Sequence, residues 1–217
     1  YQDNWIIPKL SNGFAINIPD IEEFKVAVNS LNFISLISKT LSLTFLSAAI
    51  ATSIPPILMI ICQKKIWCQL LSNIWILLRL IPPPISALLL LMCSKPSLSI
   101  AAIALGIHNM GIMGRKLQEG INNLERDTYH ELISKGINTK IAWLYGLMSK
   151  HSRSYLAYAA YRMDVILRET TIVGVVGGVG LGWQLQESLS SFAWTEVISI
   201  IIIYILITIL SESIGNK

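Results

Sequence analysis

A chain of 217 residues with 53% apolar and only 14% charged residues carries more apolar surface than one soluble core of its size needs, and a mean hydropathy of +0.58 makes a bilayer its natural solvent. The net charge of +4 does not point to nucleic acid, because Glu119, Glu125, Asp127 and Glu131 are mixed among the basic residues of the longest polar loop and no aromatic-studded basic patch forms. Cys62, Cys68 and Cys93 supply neither a disulfide framework nor the spacing of a zinc site.

Residues 1–32 are polar, with Asp3, Asp20, Glu22 and Glu23 against Lys9 and Lys25, and lack the basic, apolar and small-residue order of a signal peptide. They read as an external N-terminal segment, and residues 33–217 as an all-α, polytopic membrane domain of about five transmembrane helices. The chain opens on Tyr1, and a further N-terminal span ahead of it would bring the N-terminus inside.

Thr40–Cys62 is uncharged for 23 residues, enough at 1.5 Å per residue to cross about 30 Å of hydrocarbon with some tilt. Leu70–Met92 follows, interrupted by Arg79 and Pro82-Pro83-Pro84. Arg79 falls close to the expected inner end of that span, where its side chain would snorkel to the headgroups. The three prolines each remove a backbone donor, so the helix bends at Pro82–Pro84 against protein rather than lipid.

Ser97–Gly114 is the third span and holds Ile107-His108-Asn109-Met110. A polar side chain there either satisfies a neighbouring helix or lines a path, and for His108 the first is the commoner role. Leu156–Trp183 is the fourth; Arg162, Asp164, Arg168 and Glu169 interrupt it, which places its intramembrane part mainly C-terminal to Glu169. Val197–Leu210, extended by Phe192–Thr195, is the last. Within the fourth span Gly174, Gly178 and Gly182 recur every four residues, which on one helix makes a face open to close approach by another.

Basic residues set the orientation. Lys64 and Lys65 follow the first span, and Arg115, Lys116, Arg126, Lys135, Lys140, Lys150, Arg153, Arg162 and Arg168 lie between the third and fourth, so both loops are expected in the cytoplasm. The turn near Cys93–Pro96 and the stretch Gln184–Glu196 are then external. No Gly-Lys-Ser/Thr phosphate loop, Gly-x-Ser-x-Gly elbow or His-Glu-x-x-His site occurs, which argues against an enzyme, a bound cofactor or a catalytic metal.

The polar loop 115–140 carries His130-Glu131-Leu132-Ile133-Ser134-Lys135-Gly136, followed by Gly146-Leu147-Met148-Ser149. This resembles the cytoplasmic Glu-Ala-Ala, three residues, Gly, nine residues, Ile-x-Leu-Pro loop of ABC importer permeases, with Gly136 in register. The chain departs from it at His130, where the acid is replaced or displaced to Glu131, and at Gly146, Met148 and Ser149. The flanks Leu105–Arg115, Tyr158–Arg162, Arg168–Gly182 and Arg79-Leu80-Ile81-Pro82 are similar to phosphonate-type ABC transporter permeases over about residues 35–212.

The resemblance implies a permease subunit of the cytoplasmic (inner) membrane that imports phosphonate, phosphite, phosphate or a related oxyanion. Its expected partners are cytoplasmic ATP-binding subunits, an external substrate-binding protein, a second permease copy and membrane lipid, with no nucleic acid. His130, Glu131, Gly136 and Ser149 would couple to the ATPase; Arg79, Pro82, His108, Asn109, Gly174, Gly178 and Gly182 would pack the helices or line the path. A poorly coupled permease paralogue and, behind it, a secondary transporter are the rival readings. The latter needs intramembrane carboxylates and an internal repeat.

Overall fold

The computed structural model describes Glu22, Val26, residues 31–63 and residues 65–215. Most of the N-terminal segment 1–32, together with Lys64, Asn216 and Lys217, lies outside the described residues. All regular structure among the described residues is helical: α1 (Phe33–Ile61), α2 (Lys65–Leu80), α3 (Pro83–Leu91), α4 (Leu98–Asn122), α5 (Asp127–Ser134), α6 (Thr139–Trp143), a π-helical turn (Leu144–Met148), α7 (Ser149–Gly177), α8 (Gly180–Ser190) and α9 (Trp194–Gly215). α1, α4 and α9 are each long and apolar enough to cross a membrane; α2 with α3, and α6–α7 with α8, bring the number to five if each bent pair counts as one span.

α4 is the central helix, with α1, α2, α3 and α7 packed around it. Its glycines allow that crowding. A Cβ on Gly106 would lie 2.8 Å from Ile50, one on Gly111 2.8 Å from the Trp75 carbonyl, and one on Gly114 2.5 Å from the Trp75 ring. In lipid, where apolar side chains gain nothing by leaving hydrocarbon, such close backbone approach is what holds helices together. The surface is correspondingly apolar, Ile201, Ile202, Ile205, Leu206, Ile209 and Leu210 of α9 all being exposed.

Each break in a helix has an identifiable cause and a compensating partner. Pro55 and Pro56 lie inside α1, and Pro56 cannot donate to the Thr52 carbonyl four residues back. The Tyr155 hydroxyl of α7 donates to that carbonyl instead, at 2.8 Å. Between α2 and α3 the chain turns by 90° at the proline run. Ile85 and Ser86 donate to the Pro82 carbonyl, and the Ile81 carbonyl is met by His108 Nδ1 of α4 at 2.9 Å. The second span is thus two short helices at a right angle.

One end of the bundle gathers the α1–α2 turn, where Gln63 approaches the Thr139 carbonyl, with Gly120 against His151. The other gathers Thr40 against Gly180 and Ala101 against Gly177. The α1–α2 connection and the 115–140 loop therefore emerge on the same side, as their basic residues require. In the fourth span α7 runs unbroken through Arg162, Asp164, Arg168 and Glu169, whose pairing is described next.

Candidate functional site

Halfway along α4, Asn109 is fully buried and joins α4 to α7. Its Nδ2 donates to the Leu105 carbonyl at 2.9 Å and to Glu169 Oε2 at 2.8 Å, while its Oδ1 accepts from Arg162 Nε at 2.6 Å. Arg162 closes the triangle on Glu169 Oε1 at 3.1 Å. Arg162 and Glu169 stand seven residues apart on α7, hence on one face. Two charges that would each be prohibitive in hydrocarbon are tolerated because every donor and acceptor on their facing edges is met. One turn away Arg168 pairs with Asp164 at 2.6 Å and reaches toward Glu212 of α9 at 3.9 Å. The Thr170 hydroxyl lies 3.1 Å from that of Tyr204, which itself donates to the Leu167 carbonyl.

The polar layer between α4 and α7 is wider than the sequence indicated. Asn109 and His108 were legible as polar residues inside a span, but Arg162 and Glu169 read as flanking charges. The signal that could have found them is their seven-residue spacing, facing an asparagine in a neighbouring span. Arg79 packs beside Gly111, a Cβ on which would lie 2.9 Å from Arg79 N, one helical turn from Arg115, whose guanidinium bonds Ser72 of α2 at 2.9 Å. The Arg79 side chain is exposed and, among the described residues, has no hydrogen bond or ion pair.

The glycine-dense stretch is also rearranged. Gly174, Gly178 and Gly182 do not share a helical face, because α7 ends at Gly177 and α8 starts at Gly180, the two meeting at 59°. Gly178 adopts φ +66°, where a side chain is strained, and closes α7: its N–H donates to the Val175 carbonyl at 3.4 Å and that of Val179 to Gly174 at 3.0 Å. The chain then doubles back. A Cβ on Gly182 would fall on the Thr171 carbonyl oxygen, and one on Gly174 would lie 2.7 Å from the Val179 carbonyl. Thr40 of α1 accepts from the Leu181 N–H at 2.9 Å, capping α8 from another helix.

At the opposite end α5 lies on the surface. Thr128, Tyr129, Leu132 and Ile133 turn inward, and Asp127, His130, Glu131, Ser134 and Lys135 face out. Gly136, at φ +79°, terminates it in a Schellman closure, with Gly136 N–H to Ile133 at 2.9 Å and Ile137 N–H to Leu132 at 3.2 Å. Lys135 bonds Glu131 at 2.6 Å and holds its carboxyl below the ordinary range. Gly146 of the π-turn seats α5, since a Cβ there would lie 3.0 Å from Tyr129 Cα. Ser149 lies inside the continuous run from Thr139 to Gly177, its N–H donating to the Leu144 carbonyl.

No family model matches the sequence. The chain is 31% identical over 137 residues to HtxE of Stutzerimonas stutzeri, named as the permease of a phosphite transport system, covering 63% of this chain and 52% of that protein. It is 25% identical over 115 residues to PhnE2 of Escherichia coli K12, named as a cryptic phosphonate transport system permease, covering 53% and 94%. To the phosphate-import permease PhnE of Mycolicibacterium smegmatis it is 22% identical over 202 residues, covering 93% of this chain and 36% of that protein. The chain thus spans about half the length of HtxE, 52%, and less of the mycobacterial protein. A solved structure described as an amino acid ABC transporter with histidines superposes at a TM-score of 0.71 with 21% identity, over 93% of this chain and 97% of that one. The fold is accordingly that of the solved ABC transporter chain, and the sequence is similar to permeases named for phosphite, phosphonate and phosphate transport.

Proposed function

We propose that this chain is the permease subunit of an ABC importer, forming with a second copy or a paralogue the path by which a phosphonate, phosphite or phosphate ion crosses the cytoplasmic membrane. The observation that carries the reading is an amphipathic helix, α5, lying against the bundle at its basic end with a polar outer face, in a chain whose relatives are named for phosphorus oxyanions. A helix held at Gly136 and Gly146 moves as a unit, so a partner ATPase gripping Asp127, His130, Glu131 and Ser134 would transmit its closure to the spans. An external binding protein delivers the anion, and ATP hydrolysis belongs to the partner.

The degenerate loop favours a second reading, a permease that assembles but couples poorly, because His130, Gly146, Met148 and Ser149 depart from the pattern of importers. The test is uptake of labelled phosphite, methylphosphonate and phosphate by proteoliposomes holding the permease, its ATPase and its binding protein. ATP-dependent uptake of at least one supports the first reading. Assembly without uptake or ligand-stimulated hydrolysis supports the second, and uptake driven by an ion gradient without ATP overturns both.

A further inference from the structure

A π-turn, Leu144–Met148, interrupts the long helical run from Thr139 to Gly177. There the Ser149 N–H reaches back five residues to the Leu144 carbonyl instead of four, so the turn holds one residue more than an α-helix needs. Such turns are rare and concentrate at functional sites. This one is also a seat. A Cβ on Gly146 would lie 3.0 Å from Tyr129 Cα and 3.1 Å from Tyr129 N, so the backbone of α5 rests directly on the turn. The importer pattern has isoleucine at this position, and here α5 lies too close to admit one.

Beyond the turn, α7 carries His151, Tyr155, Arg162 and Glu169, spaced four, seven and seven and therefore on one face. His151 packs against Gly120 of α4, the Tyr155 hydroxyl donates to the Thr52 carbonyl of α1, and Arg162 and Glu169 bond Asn109 of α4. A single stripe thus makes the principal polar attachments of α7 to α1 and α4. Its end nearest the turn is the most weakly held: His151 Nε2 is buried without a hydrogen-bond partner, so that ring keeps its place by packing.

We propose that the π-turn is the joint through which α5 turns α7, so that the stripe from His151 to Glu169 releases and re-engages α1 and α4 during the transport cycle. The inference rests on the importer reading above and names the element that transmits the stroke. Its physical basis is the spare residue. A regular α-helix turns only as one rod, whereas a spare residue passes along a helix, and each residue it passes turns by about 100° and shifts by about 1.5 Å. His151 and Tyr155, the first members of the stripe, then leave their partners while the chain stays helical. The helix is free to give at the place where α5 presses on it.

The test uses the complete complex of permease, ATPase and binding protein in proteoliposomes, with labelled phosphite, methylphosphonate and phosphate as probes. Deleting Tyr145, an exposed residue of the π-turn, removes the spare residue and lets the regular ladder run through. That variant is expected to assemble and to resist unfolding at least as well as the parent, while uptake and binding-protein-stimulated ATP hydrolysis both fall at least tenfold. Deleting Ser154, exposed in the regular part of α7, is the control: it sets His151 about 100° out of line with Tyr155 and is expected to abolish assembly. Amide hydrogen exchange over residues 139–177 gives a readout that needs neither deletion. In the parent, trapping nucleotide with vanadate is expected to speed exchange between Leu144 and Tyr155. A Tyr145 deletion that transports like the parent overturns the proposal, as does one that disrupts assembly as badly as the Ser154 deletion, because the turn then holds no spare residue. A parent with neither uptake nor stimulated hydrolysis sinks the coupled-importer reading and the joint with it. A parent that transports while exchange stays unchanged on trapping sinks only the joint.

Discussion

Replacing Glu169 by Gln tests whether the Asn109–Arg162–Glu169 triangle holds α4 to α7 by its charges. The parent has an ion pair at 3.1 Å and two hydrogen bonds through Asn109 at 2.6 and 2.8 Å, with the charged side chains 13% and 25% exposed. Unit charges about 4 Å apart attract by about 4 kcal/mol at an effective dielectric of 20, and orphaning one member of a buried pair costs about 3–5 kcal/mol. Residual exposure puts Glu169→Gln at the lower end, about 3 kcal/mol. The double substitution Arg162→Met/Glu169→Gln removes both charges and leaves the new amide at position 169 able to pair reciprocally with that of Asn109. It is expected to recover at least half of the loss. Reversible unfolding in mixed detergent and dodecyl sulfate micelles, for the parent, both single variants and the double, gives the coupling energy. Additive losses, or a single Glu169→Gln costing under about 1 kcal/mol, would show that the charges do not interact and that packing alone joins these helices.

Gly182→Ala drives a methyl group into the Thr171 carbonyl and is expected to destabilise by about 1–3 kcal/mol, whereas Gly178→Ala meets only Pro96 at 3.7 Å and loses about 1–2 kcal/mol through its φ of +66°. Thermal aggregation of the purified permease reads both, and a neutral Gly182→Ala would refute the doubling back of α8 on α7. Gly136→Val leaves open space around its side chain but forces a branched residue to φ +79°, so the expected outcome is an assembled complex without ligand-stimulated ATP hydrolysis. Stimulation equal to the parent would make α5 a mere connector. Ser149→Pro removes the N–H that closes the π-turn on Leu144 and is expected to cost about 3 kcal/mol, read by the same unfolding titration; a neutral result would place a true helix boundary there.

The spans were legible wherever a run was long and uncharged. Thr40–Cys62 coincides with α1 to within a residue at its end, and Val197–Leu210 lies within α9, with no further information, because length and apolarity are local properties of a chain in lipid. The bend at Pro82 was equally legible, since a missing donor is written in the residue type. The glycine stretch was not. A spacing of four describes a face only if the helix continues, and whether Gly178 sits inside a helix or ends one depends on the Thr40 hydroxyl, 141 positions from Leu181, that caps the helix beyond it. The Schellman closure at Gly136 belongs to the legible class, because its bonds run between neighbours in sequence.

Depth was the property least accessible from sequence. Arg162 and Glu169 read as charges that keep a helix end in water, and Arg79 as one that snorkels to the headgroups; each assignment assumes that a charge seeks the nearest aqueous edge. Pairing removes the assumption for Arg162 and Glu169, because Asn109 and the two side chains satisfy one another where no water is required. Arg79, beside Gly111 and one turn from Arg115, has no such partner among the described residues. The sequence marks Arg162 and Arg79 alike as interruptions in an apolar run, and what separates them is whether a carboxylate stands seven residues along the same helix.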